Sequence, residues 1–105
     1  MTPVETAIRD FVREHAEAET RFLAAIVKVP SDNPPGDCDR SAAVVATLLE
    51  GIGFQVEKHK VPNSLVEANG MISVTNLIVR RRFGQGGPTI ALNAHGDVEI
   101  GRAHV

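Results

Sequence analysis

The stretch "VPSDNPPGDCD" (Val29 to Asp39) restricts the fold of this chain more than any other feature. Its three prolines lack backbone donors, and the pair Pro34-Pro35 pushes Asn33 towards an extended conformation. A helix arriving from the N-terminal side must end before Pro30. A second helix can begin only beyond the break, and no regular structure is expected within it.

On the near side, Thr2 followed by Glu5 forms a capping-box pattern, and Pro3 suits the first helical position. Apolar residues recur at Val4, Ile8 and Phe11, then at Ala18, Phe22 and Ile26, close to a 3.6-residue period. The charged "REHAEAETR" between them is either a break or an exposed middle. On the far side, Asp37 or Asp39 offers an N-cap. Val45, Leu48, Leu49 and Ile52 then make a stripe to be buried, with Gly51 and Gly53 available to end the helix.

Beyond Gly53 the period changes to two. "FQVEKHKV" alternates Phe54 and Val56 with Gln55 and Glu57, which suits a half-exposed strand. A polar connection containing Asn63-Ser64 and Asn69-Gly70 leads to "SVTNLIVRRRF", and "GQGG" (Gly84 to Gly87) separates this from "TIALNAH". Two strands around a glycine-rich turn predict an antiparallel hairpin. Ile90, Ala91, Leu92 and Ala94 are apolar on both strand faces, so the last strand is expected to be central and covered. The expected fold is α/β: two helices, then three strands, with helices against a sheet.

Composition narrows the function. The chain has 105 residues and a net charge of -2, which allows one small domain and argues against nucleic acid or an anionic membrane as partner. Arg80-Arg81-Arg82 is too short a basic run to change that and reads as a solvated strand end. A single cysteine, Cys38, fits a reducing compartment. No signal peptide or bilayer-length apolar run is present, so a soluble cytoplasmic protein is expected.

The chemistry concentrates at "ALNAHGDV" (Ala91 to Val98). In a strand, Asn93, His95 and Asp97 share one face, and Gly96 permits a bend. The carboxyl end of a central strand is where open α/β sheets bind ligands. A neutral imidazole is a good zinc ligand, and a carboxylate two residues on can orient it. His-Gly-Asp is equally an ordinary turn in which Asp97 caps backbone amides. The other histidines offer less: His15 falls near the apolar stripe of the first helix, His59 on an exposed strand face, and His104 in the terminal tail. Cys38 opens a helix, a position that lowers a thiol pKa, but reads as structural.

"VPSDNPPGD" after an N-terminal helix, then "TIALNAHGDV" roughly sixty residues later, resembles the start of a zinc amidohydrolase and exopeptidase family. Acetylornithine deacetylase, succinyl-diaminopimelate desuccinylase, aminoacylase and glutamate carboxypeptidase belong to it. "LLEGIGFQVEKHKV" and "TNLIVRR" resemble its second helix and first strands, and the likeness covers Val4 to Val98. The resemblance implies the N-terminal part of a zinc-exopeptidase-like mixed sheet flanked by helices, from a homodimeric enzyme. It implies that His95 binds one of two zinc ions and that Asp97 is the catalytic-site aspartate supporting it. The implied reaction is metal-assisted hydrolysis of the amide bond in N-acyl amino acids or small peptides.

The family also needs a bridging aspartate, a glutamate base, further carboxylates and a distant histidine, none of which follows Asp97 here. One histidine and one carboxylate cannot build a two-metal site, so these 105 residues alone are expected to be inactive. The family continues "HGDVVPPG", whereas this chain reads "HGDVEIGRAHV". The residues "IGRAHV" are those that one reading frame of a common sequencing adapter would encode. Residues 1–98 are therefore expected to be the N-terminal portion of a catalytic domain, and 99–105 a non-native tail. The alternative is a genuine short module that binds a partner through its sheet edge. As a fragment the chain is expected to be marginally stable.

Overall fold

A computed structural model of the chain describes residues 1–99. In chain order the elements are α1 (Pro3–Val27), β1 (Asp32–Asn33), α2 (Asp39–Gly51), β2 (Glu57–Lys60), α3 (Asn63–Ala68), β3 (Thr75–Ile78) and β4 (Val98–Glu99). Ile100 to Val105, and with them His104, lie outside the described residues.

Half of the capping box forms, and the Glu5 carboxylate accepts from the Thr2 hydroxyl. Thr2 Oγ1 accepts from the Glu5 amide at 3.1 Å, with Pro3 in the first turn. The charged "REHAEAETR" is an exposed middle, and α1 continues through it to Val27. An unbroken helix of 25 residues is about 37 Å long. Apart from Thr6, its half-buried residues are Phe22, Ala25 and Ile26, all near the end that packs on α2. Val4, Ile8 and Phe11 stay 60–68% exposed. The radius of gyration is accordingly 17.1 Å, against about 13 Å for a compact chain of this length.

Neither Asp37 nor Asp39 caps α2 with its own side chain. Cys38 holds the cap position, and the hydroxyl of Ser73 accepts from the Asp39 amide at 3.0 Å. Ser73 in turn donates to Asp37 at 2.6 Å. A residue far along the chain thus substitutes for a local cap. The helix buries Ala46 and half-buries Val45, Leu48 and Leu49, but Ile52, placed in the expected stripe, is 60% exposed. Gly51 is still helical, and Gly53, at φ +99°, makes the left-handed exit.

β2 and β3 pair antiparallel, Glu57 opposite Ile78 and Lys60 opposite Thr75, and α2 packs against β3. The polar connection between them contains α3, a helix that the turn-like dipeptides concealed; its Val66 is 3% exposed. With Ala46 it forms the buried apolar core of the described residues, while Ser31, Ser41 and Ser73 are the buried polar ones.

The predicted hairpin across Gly84 to Gly87 does not form: β3 pairs with β2, and no strand lies between β3 and β4. "TIALNAH" is not a strand: Ile90 is 82% and Leu92 95% exposed, so it is neither central nor covered. Instead β4 pairs in parallel with β1, Asp32 opposite Val98 and Asn33 opposite Glu99. The proline-rich break thus contains a short strand, in which Asn33 has the extended backbone expected of a residue before proline. The chain is mixed α/β in this loose sense, with three helices and two separate two-stranded sheets among the described residues.

Candidate functional site

β1 and the residues entering β4 are held together at several points. The Val98 amide donates to Ser31 O at 2.9 Å, and Ser31 Oγ donates to Gly96 O at 3.0 Å. Asn33 Nδ2 donates to Asp97 Oδ2 at 3.0 Å. The segment "SDN" therefore clamps "GDV" through main chain and side chains alike. Gly36, at φ +77°, lies beneath it: a Cβ there would sit 2.9 Å from Met71 Cγ and 3.1 Å from Asn33 Oδ1. The turn leaving β1 thus needs glycine for both backbone conformation and space.

His95 and Asp97 are brought together. His95 Nδ1 is 2.8 Å from Asp97 Oδ1 and 3.1 Å from Asp97 O. Both neighbours are acceptors, so Nδ1 carries the proton and donates. In the neutral ring the lone pair is then on Nε2, which no described residue engages. The imidazole is 74% exposed, whereas the Asp97 side chain is 22% exposed. The carboxylate is the anchored member and the ring the presented one.

The electrostatics agree with the geometry. The hydrogen bond to Asp97 raises the His95 pKa, reinforced by the Asp97 carbonyl and by the charge of the carboxylate. The Asn33 amide holds Asp97 below the ordinary carboxylate range, against an opposing desolvation, with the His95 bond adding to the lowering.

The remaining sequence candidates lie elsewhere or behave otherwise. Asn93 is exposed and outside any strand, so the sheet pleat does not align it with His95. The motif precedes β4 in a two-stranded sheet instead of closing a central strand. Cys38 does open α2, but burial raises its thiol pKa, and the charges of Asp97, Asp37 and Asp39 raise it further. That overrides the lowering expected at a helix start. His15 stacks on Phe11 with ring centroids 4.0 Å apart, and His59 pairs with Glu57 at 3.2 Å. Arg80 pairs with Glu57 and Arg81 lies 4.8 Å over the Phe54 ring, so part of the basic run is engaged locally.

Among the described residues, no group of three or more His, Cys, Asp and Glu side chains is arranged to hold a metal ion. His95 and Asp97 fit a more limited part: one nitrogen donor and the carboxylate that orients it. Sequence reasoning passed over Asn33 and Ser31. Pro34 betrayed the backbone of Asn33, but nothing local announced that its amide would meet a residue 64 positions away.

Among the described residues, no helix is long and apolar enough to cross a membrane. Neither protein-family models, nor curated proteins, nor solved structures yield a match to this chain.

Proposed function

We propose that this chain is the N-terminal portion of a metal-dependent hydrolase that cleaves amide bonds in N-acyl amino acids or small peptides. The observation that carries this reading is the oriented pair: Asp97 takes the Nδ1 proton of His95 and leaves Nε2 exposed. A carboxylate behind an imidazole fixes the tautomer that a metal ligand needs. When bound, zinc supplies Lewis acidity towards a carbonyl and activates water. His95 would hold it through Nε2 with Asp97 keeping the ring oriented, and further ligands and a general base would come from residues beyond these 105.

The finer fold in this proposal is a zinc-exopeptidase-like mixed sheet, completed by further strands and assembled as a homodimer. The single cysteine suits the cytoplasm. The test is to sequence the source DNA across codon 98, express the continuing frame and assay amino-acid release from N-acetyl amino acids before and after chelation. The expected result is a frame that adds carboxylates and a histidine, with activity lost on chelation and restored by zinc. A stop after Val105 in clean DNA, or a metal-loaded product inert towards N-acyl amino acids and dipeptides, would overturn it. The stop would leave the short partner-binding module as the better account.

A further inference from the structure

We propose that Asn33 is a positioning residue for the His95–Asp97 pair, setting which imidazole nitrogen the site presents. Asp97 has two carboxylate oxygens, and each has one side-chain partner: Oδ2 receives Asn33 Nδ2 at 3.0 Å, and Oδ1 faces His95 Nδ1 at 2.8 Å. A carboxylate bonded on one side only is free to rotate about its terminal torsion, which is broad and nearly two-fold. The amide of Asn33 removes that freedom.

Asn33 is itself held. Its backbone lies in β1, in register with Glu99, while Asp32 pairs with Val98. The adjoining contacts of Ser31 with Gly96 and Val98 keep the two segments together on the other side. Gly36 leaves room beside Asn33 Oδ1, so the amide lies where a larger residue would displace it. The order of control runs from β1 to Asn33, from Asn33 to Asp97, and from Asp97 to the ring. The coordinating role of Nε2 rests on the proposed function, but the positioning does not.

The test uses the 105-residue chain labelled with 15N and read by long-range proton–nitrogen NMR of the imidazoles. In the wild type, His95 should be the Nδ1–H tautomer. Asn33→Leu keeps the size and removes the donor, and Asn33→Ser keeps polarity without the reach. Either should return His95 to a mixture dominated by Nε2–H, while the Val98 amide stays protected and shows β1–β4 intact. A His95 ring still held as Nδ1–H in a variant with a protected Val98 amide overturns the proposal.

If neither variant retains that protection, the wild type decides. The Asn33 side-chain amide protons should exchange more slowly than those of exposed Asn93, and equal exchange overturns the proposal. The metal role is tested separately, by zinc titration of the continued chain that carries the remaining ligands. Zinc should shift His95 Nε2 there, about tenfold more weakly in Asn33→Leu. No zinc response in that continued chain would remove the metal role and leave the tautomer result standing.

Discussion

Replacing Ser73 with alanine should loosen α2 although the two are distant in sequence. The Ser73 hydroxyl is the acceptor for the Asp39 amide at 3.0 Å and donates to Asp37 at 2.6 Å. Losing a cap of this kind costs about 1 kcal/mol. The bond to a charged carboxylate would add up to about 3 kcal/mol if buried, but Asp37 is exposed and water replaces most of it. A total of about 2 kcal/mol corresponds to roughly a 30-fold change in an equilibrium constant. With Ala46 and Val66 as the buried apolar core, amide exchange is a better gauge than a melting curve. The assay is hydrogen exchange at Ala42, whose amide bonds Cys38 O at 3.0 Å, and at Val45. Ser73→Ala should reduce protection there about 30-fold, and Asp37→Asn clearly less. Protection within about twofold of wild type in Ser73→Ala would refute the idea that a distant hydroxyl caps this helix.

Three further perturbations address other parts of the structure. Asp39 has its pKa lowered by hydrogen bonds from Lys60 and then Thr75. Its stabilisation is therefore complete above the unfolded pKa and is lost as pH falls from about 5 through the depressed folded value; Asp39→Asn should flatten that acid limb in a pH series of far-ultraviolet circular dichroism. Gly36→Ala should cost about 1–2 kcal/mol from its left-handed backbone alone, more where Met71 cannot yield, and weaken Val98 amide protection; an unchanged exchange rate would count against it. Chymotrypsin should cut first after Phe83 and Leu92, which are 94% and 95% exposed outside any helix or strand; first cleavage within α2 would contradict this.

What could be read from the sequence followed local physics. The Thr2 cap, the end of α1 before Pro30 and the glycine exit at Gly53 depend on neighbours a few residues apart, and these appear as expected. Strand pairing does not work that way. The sequence marked strands in "FQVEKHKV" and "SVTNLIVRRRF", but not the pairing of Glu57 to Lys60 with Thr75 to Ile78. α3 has six residues, too few for a helical period to emerge from its flanking turn-like dipeptides. At the candidate site, His95 and Asp97 were legible because they stand two positions apart. Asn33 and Ser31 were not, because their contacts to Asp97 and Gly96 span 64 and 65 residues.

That long span has a thermodynamic consequence. Bonding Asn33 to Asp97 closes a loop of 64 residues containing α2, α3 and the β2–β3 pair. Bringing such ends together costs on the order of 4 kcal/mol of chain entropy. Whatever binds selectively to the clamped arrangement recovers part of that cost, and its binding energy is shared with every element inside the loop. A ligand at His95 would therefore act as a fastener for the chain from β1 to β4, with site occupancy and folding varying together.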